Sequence, residues 1–487
     1  MEVLFVFNFE TTIGVEVHTA LNTKTKMFSS APNSHTDKPN TNLHVNDLGL
    51  PGIMPQPNKQ AIVKALRLAK ALHMEEVDLM VRFDRKNYFY QDLPKGFQIT
   101  QQYHPIAKKG YIDVVVDNQP KRILIQRFHI EEDTAKQFHT SAGLFLDYNR
   151  AGSPLIEIVT DPVFENAAQV KAYLSALRLI LLHNDISNAK MEEGSMRADI
   201  NVSIRPFGAS ELGTRVEIKN INSINNVEKA INYEINRQAQ NLLAGIPIIQ
   251  ATLRYDDQTQ TTVFMREKTG EVDYRYMTEP NILQIQLESQ MVHSVHNSMP
   301  KQPSELASEL ISFGIDQKQV DLLLDSKEML NAFNFINQQV NDPKEVVRWL
   351  LSELLGLINK QSDVDLTTAI KEIDLLNLIS LIHLLKAEEI NGKQAKKILE
   401  VSFETKKAPK DLMKELNMVQ IKDRNVLIPI VKKHIDANKD KIEKDYATRA
   451  DRVQSMLLGL LMKETNGQAN PQVANEIVRE LLSSFQK

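Results

Sequence analysis

The stretch Ile13-Gly14-Val15-Glu16-Val17-His18 alternates apolar and polar side chains with a period of two. Read as a strand, it sends Ile13, Val15 and Val17 to one face and Glu16 with His18 to the other. The same chemistry recurs in Arg127-Phe128-His129-Ile130-Glu131, where Arg127, His129 and Glu131 share a face. It recurs again in Arg197-Ala198-Asp199-Ile200-Asn201-Val202-Ser203-Ile204 and in Arg215-Val216-Glu217-Ile218-Lys219. A single charged strand of this kind is ordinarily half of a plain antiparallel sheet facing water. Four strands bearing short acids, His and Asn point instead to a shared binding face. If Glu16, Glu131, Asp199 and Glu217 gather there, each pair about 4 Å apart repels by roughly 4 kcal/mol at an effective dielectric near 20. A divalent cation, or Lys and Arg partners, must offset that repulsion. A structural ion-pair network is the competing explanation.

Working outward, 487 residues exceed one hydrophobic core and imply about three domains. The apolar fraction of 42% and charged fraction of 25% are those of a globular chain. With no cysteine, disulfides, thiolate zinc sites and a Cys nucleophile are excluded. A net charge of −4 gives no global signature of nucleic-acid binding, so any RNA contact must be local. The apolar start Met1-Glu2-Val3-Leu4-Phe5-Val6-Phe7 lacks a basic region and a cleavage site, and is expected to be an edge strand or frayed extension. No apolar run approaches the ~20 residues of a membrane span, so the expected location is the cytoplasm.

Helical stripes follow caps at Asn58 (Ile62, Leu66, Ala69, Leu72) and Asn166 (Val170, Leu174, Leu177, Leu181), and a third helix is expected over residues 225–243. Strand groups separated by helices argue an α+β fold with an antiparallel sheet. From about Ser298 the chain becomes helical, with stripes at Val347, Leu350, Leu351, Leu354, Leu355 and at Leu375, Leu378, Ile379, Ile382, Leu385. A last helix is expected after Asn470-Pro471, with Val473, Ile477, Leu481, Leu482 and Phe485 along one side. Between Lys406 and Arg452 thirteen Lys or Arg stand against eight Asp or Glu, a solvated face or an RNA-backbone contact.

Four blocks carry chemistry. The first is residues 14–18. The second, residues 84–98, combines Arg85, Lys86 and Tyr88 with further rings and a turn, the ingredients for holding a nucleotide or an RNA end, or simply a hairpin with buried tyrosines. The third joins His129-Ile130-Glu131-Glu132-Asp133 to Leu146-Asp147-Tyr148-Asn149-Arg150-Ala151-Gly152-Ser153-Pro154-Leu155-Ile156-Glu157. The fourth runs from Lys190 to Asn201 and continues through Glu217-Ile218-Lys219-Asn220. None is a Walker loop, a dinucleotide fingerprint, a Ser-His-Asp pattern or a zinc spacing.

These blocks resemble the GatB family, the B subunits of glutamyl/aspartyl-tRNA amidotransferases. Residues 146–159 match that family's signature Asp-x-Asn-Arg-x-Gly-x-Pro-Leu-x-Glu at every fixed position, and the likeness extends from Phe9 to the C-terminus. The resemblance implies a kinase-like cradle domain at 1–295, a helical domain at 296–412 and a small YqeY-like, tRNA-binding helical tail at 413–487. It implies ATP-dependent phosphorylation of the side-chain carboxylate of Glu-tRNA(Gln) or Asp-tRNA(Asn). Ammonia channelled from a glutaminase (amidase) subunit, GatA in this family, then displaces the phosphate. A small third subunit, GatC, is the other expected partner. The family's magnesium ligands fall on Glu16, His18, Glu131 and Glu157. On this reading Glu131, Glu157, Asp199 and Lys219 are the expected catalytic residues, and Arg85, Lys86, Tyr88, Arg150, Arg197 and Asn201 the expected nucleotide contacts. A non-catalytic tRNA-binding scaffold and a free-standing small-molecule ligase are the rival functions. Many relatives hold zinc with two Cys pairs in the stretch equivalent to 27–48. Here Ser29, Ser30, His44 and Asn46 stand there, so no zinc is expected. The motif Asp-Tyr-Arg-Tyr-Phe-Pro-Glu-Pro appears with Met277-Thr278 in place of its Phe-Pro, which puts the local turn in question.

Overall fold

The computed structural model describes residues 9–268, 273–360, 369–370, 373–416, 418 and 420–483. The expected N-terminal strand and Phe485 lie outside these. The chain divides into two compact units, Met1–Glu305 and Leu306–Lys487.

In the first unit the strands are β1 Phe9–Ala20, β2 Glu76–Val77, β3 Met80–Val81, β4 Asp84–Asn87, β5 Phe97–Thr100, β6 Ala107–Val116, β7 Gln119–Glu132, β8 Lys136–Thr140 and β9 Gly143–Asp147. They continue with β10 Pro154–Thr160, β11 Met196–Pro206, β12 Val216–Lys219, β13 Ala251–Asp256, β14 Thr261–Glu267, β15 Met277–Thr278 and β16 Ile285–Gln286. Nine of these form one sheet in the order β14-β13-β12-β11-β1-β10-β7-β6-β2. Its ladders are antiparallel except β12–β13, which run parallel. That exception to the expected antiparallel sheet follows from the long helix Ile224–Leu243 between those strands, because a parallel neighbour needs a crossover rather than a hairpin.

The alternation of β1 has its predicted effect. Ile13, Val15 and Val17 are at most 1% exposed and join a core with Phe128, Ile130, Ile156, Ile158, Ala198 and Ile200 from neighbouring strands. Three helices supply much of the rest of that core: α1 Lys59–Ala71, α2 Ala167–His183 and α3 Ile224–Leu243. Asn58 caps α1 by accepting from the amides of Gln60 and Ala61. Asn166 caps α2, and Ser223 caps α3 one residue ahead of its expected start. Val170, Leu174, Leu177 and Leu181 are fully buried, each such side chain stabilising the fold by about 1.5–3 kcal/mol. The helices therefore cover one face of the sheet and leave the polar face to the acids.

The second unit is helical. The segment Leu375–Lys386 buries Leu378, Ile379 and Ile382, and Pro471–Leu482 begins at a cap from Asn470, as the stripes predicted. The stripe around Leu350 contains a π-helical stretch, Arg348–Leu354, that periodicity did not reveal. Leu427, Val431, Leu457, Leu461, Ile477 and Val478 form a separate cluster towards the C-terminus. Among the described residues no helix is long and apolar enough to cross a membrane.

Candidate cation-binding active site

Register places the site. His18 of β1 lies opposite Glu157 of β10 on one side and Arg197 of β11 on the other. Glu157 in turn lies opposite His129 of β7. Glu16 lies opposite Asp199, and Asn201 opposite Glu217 of β12. Cross-strand partners share a face, so five strands distant in sequence deliver these side chains to one surface.

Within it, His18 Nδ1 is 3.4 Å from Glu131 and 3.9 Å from Glu157. His129 Nε2 lies 3.6 Å from both carboxylates. Asn201 donates to Glu16 at 3.2 Å. Ligand atoms within 4.8 Å of one another can be chosen from Glu16, His18 and Glu157, from His129, Glu131 and Glu157, and from Glu16, Asp199 and Glu217. All the acids of the opening pattern are thus gathered.

Their neutralisation is uneven. Lys219 bonds Asp199 and lies 3.5 Å from Glu217, which also pairs with Lys268 at 3.1 Å and accepts from Thr252 at 2.9 Å. Among the described residues, no Lys or Arg pairs with Glu16, Glu131 or Glu157. Burial raises the Glu16 carboxyl, and the charges of Glu157 and Asp199 raise it further. For His18, burial opposes a charge, but the hydrogen bond to Glu131 and the fields of Glu157 and Glu131 outweigh it and push the imidazole up to about 9. Glu131 is buried, yet His129 and His18 hold it below the usual carboxylate range. Three carboxylates without a Lys or Arg, interleaved with two imidazoles, are a donor set that fits a divalent cation. Oxygen ligands predominate, as Mg²⁺ requires, with imidazole the less usual member.

The remaining expected residues divide into two groups. Lys219, Asp199 and Asn201 are in the cage, and Arg197 borders it, donating to Asp133 at 2.9 Å. Arg85 is held by Glu279 through two bonds, one of 2.6 Å and one of 3.0 Å, with its guanidinium 4.0 Å from the Phe97 ring. Arg150 donates to the carbonyls of Thr134 and Ala135 and sits 3.2 Å from Asp133. Both are fasteners rather than free cations. The Arg85–Glu279 pair pins residues 277–279 against β4, so the segment with the altered Phe-Pro pair still closes by pairing β15 with β4.

This closure assembles a wall of rings. Tyr88 lies 6.2 Å from Tyr90 and 5.8 Å from Tyr274, and Tyr274 lies 5.9 Å from Tyr276. Lys86 stands 4.7 Å over the Tyr274 ring. The block is a β4–β5 hairpin, but its tyrosines are not buried in the way an ordinary hairpin would have them, with Tyr90 exposed.

Most of the signature is scaffold. Asp147 accepts from the amides of Asn149 and Asn40 at 3.0 Å, and Asn149 accepts from those of Thr41 and Asn42 at 2.8 Å. The fully buried Lys26 donates to the Ala151 carbonyl at 2.6 Å and lies 3.4 Å from Asp47. Gly152 has φ +82°, and a Cβ there would meet Asp47 Oδ1 at 2.8 Å. Of the signature, Glu157 alone reaches the cage. His129 and Glu217, which the sequence placed on the shared face but not among the expected catalytic, nucleotide or metal-binding residues, also belong to it. Their signal was present in the shared parity with Glu131 and Lys219.

A carboxylate and imidazole cage on the polar face of a helix-backed sheet is the arrangement of a candidate cation-binding catalytic domain. Comparison makes this specific. Residues 11–293 match the GatB/GatE catalytic domain, and residues 331–482 match the GatB domain. The chain is 49% identical over 484 residues to the aspartyl/glutamyl-tRNA(Asn/Gln) amidotransferase B subunit of Malacoplasma penetrans, covering 99% of each. It is 47% identical over 483 residues to the protein of that name from Mycoplasma pneumoniae, again 99% of each, and 42% over 475 residues to that of Mycoplasmopsis pulmonis, 98% of each. The chain belongs to the GatB family.

Proposed function

We propose that this chain is the B subunit of a glutamine-dependent aspartyl/glutamyl-tRNA amidotransferase, working in the cytoplasm with a glutaminase subunit of the GatA kind and a small third subunit of the GatC kind. Its substrates are ATP and Glu-tRNA(Gln), Asp-tRNA(Asn) or both. Residues 1–295 act as the catalytic cradle, 296–412 as a helical connector and 413–487 as a tRNA-binding tail.

An oxygen of the substrate side-chain carboxylate attacks the γ-phosphorus of ATP. The bond from that phosphorus to the β–γ bridging oxygen breaks, and ADP leaves with the electron pair. Ammonia then attacks the acyl carbon of the acyl phosphate, the carbon–oxygen bond breaks, and the departing phosphate takes the proton that nitrogen loses. Glu16, His18, Glu131 and Glu157 would hold a magnesium ion, which would supply charge neutralisation for the phosphate oxygens. His129 packs against Glu131 and Glu157 and fixes their direction. Asn201 orients Glu16, while Lys219 keeps Asp199 and Glu217 from repelling the triphosphate. Lys86, Tyr88 and the neighbouring rings offer a stacking surface for a base, worth about 1–3 kcal/mol.

The observation that carries this reading is the trio Glu16, Glu131 and Glu157, which lack a Lys or Arg among the described residues. A tRNA-binding scaffold has no use for unneutralised acids beside a polyanion. In the reconstituted complex, Glu131→Gln or Glu157→Gln is expected to abolish tRNA amidation while glutaminase activity of the partner remains measurable. Near-wild-type amidation by either variant at saturating magnesium refutes the assignment.

A further inference from the structure

The transferred phosphoryl group carries negative charge into a cage built of carboxylates, where a cation of this chain would add to the neutralisation that a bound metal would supply. Most candidates are already engaged. Lys219 and Lys268 are held by Asp199 and Glu217, Arg197 and Arg150 by Asp133, Arg85 by Glu279 and Lys95 by Glu132. Arg127 is different. It stands just past a register shift in β7, and from there it shares a face with His129 and Glu131 while Phe128 and Ile130 go to the core. Its cross-strand neighbour in β10 is Val159, two residues beyond Glu157. Its Nε is buried without a hydrogen-bond partner, and among the described residues the guanidinium makes no ion pair.

Two further observations fit. Its neighbour on the other side is Lys108 of β6, so two like charges stand opposite one another, a destabilising arrangement in a sheet. Lys108 has Glu76 across from it on β2, but Arg127 has no acid opposite it on either side. Second, burial and Tyr274 chiefly raise the Tyr276 hydroxyl of the ring wall, Glu157 and Glu131 add to this, and Arg127 opposes them, so its charge reaches the ring wall that the cage acids also reach. A half-buried guanidinium with an unsatisfied donor, kept beside a cation, is costly unless a ligand oxygen completes it.

We propose that Arg127 is a catalytic residue that binds the oxygens of the phosphoryl group in flight from ATP to the substrate carboxylate. It would hold the group from the side opposite the Glu16 edge of the cage. The planar fork of arginine suits two oxygens of one phosphoryl group, which a lysine cannot match. This deepens the phosphoryl-transfer reading and rests on it.

The test uses the reconstituted complex with ATP and each charged tRNA, and measures charged-tRNA-dependent ADP formation in wild type, Arg127→Ala, Arg127→Lys and Glu157→Gln. Arg127→Ala is expected to lower kcat on the order of 100-fold, with KM for charged tRNA nearly unchanged. Millimolar guanidinium should restore part of that rate to Arg127→Ala and none to Glu157→Gln, and the melting temperature of the complex should stay at the wild-type value. Arg127→Lys should recover only a fraction of the rate. A normal kcat in Arg127→Ala beside an inactive Glu157→Gln overturns the role of Arg127 and leaves the phosphoryl-transfer reading standing. Normal rates in both overturn that reading as well. A lowered melting temperature in Arg127→Ala without guanidinium rescue assigns Arg127 to the scaffold and overturns the proposal.

Discussion

Single side chains in this protein differ sharply in how far sequence exposes their role. Glu16 and His18 were legible because β1 alternates cleanly, and parity alone decides which face they occupy. Arg85 and Arg150 were expected as nucleotide contacts on the family resemblance, Arg85 also from the cations and rings around it. Their partners, Glu279 and the carbonyls of Thr134 and Ala135, depend on tertiary closure, and Glu279 is 194 residues from Arg85. Lys26 is the opposite case, a lysine in no motif that proves fully buried between Asp47 and the signature loop. Lys26→Met should cost roughly 3–5 kcal/mol, because it leaves the buried Asp47 carboxylate without its cation. Asp47→Asn in the same chain should return part of that loss. Urea denaturation of the two variants checks this, and a shift below about 1 kcal/mol for Lys26→Met would show the ion pair to be dispensable.

Elements were easier to read than their pairings. The caps at Asn58, Asn166 and Asn470 sit where the sequence put them, since a cap is a local hydrogen bond. The parallel β12–β13 ladder and the π-helical turn near Leu350 were not foreseeable, because both are decided by packing rather than by residue type. Asn470 accepts from the amides of Gln472 and Val473, so Asn470→Ala should destabilise the terminal helix by about 1 kcal/mol, read as a lower thermal midpoint. The loop before α1 carries a second expectation. Its residues 40–42 are tied to Asp147 and Asn149 rather than to thiolates, while His35 pairs with Asp37 and His44 accepts from the Asn46 amide. Purified protein should therefore contain no stoichiometric zinc by elemental analysis, and a zinc-selective chelator should leave amidation intact with magnesium maintained. One equivalent of zinc would mean that His35, His44 and neighbouring carboxylates form a site.

At the scale of the molecule, the cage exists only because β1 lies between β10 and β11, bringing together residues from 16 to 217. Sequence showed which residues could form such a face; the strand order, which it did not show, makes them neighbours. The C-terminal part has no comparable cluster of acids among its described residues, and its basic stretch fits a remote RNA contact. Deleting residues 413–487 should raise KM for charged tRNA more than it lowers kcat, with the effect shrinking at high salt. An unchanged KM at low salt would make the tail a stability element. The central claim is that the cage phosphorylates a tRNA-borne carboxylate. It is tested most directly by incubating the complex with charged tRNA, ATP and magnesium without glutamine or ammonia, then trapping with hydroxylamine. The account predicts a side-chain hydroxamate on the tRNA-linked amino acid, formed with ADP, requiring ATP and lost in Glu157→Gln. Side-chain hydroxamate formed without ATP, as distinct from the α-hydroxamate that hydroxylamine makes from the tRNA ester itself, or ATP cleaved equally with uncharged tRNA and no side-chain hydroxamate, would contradict it.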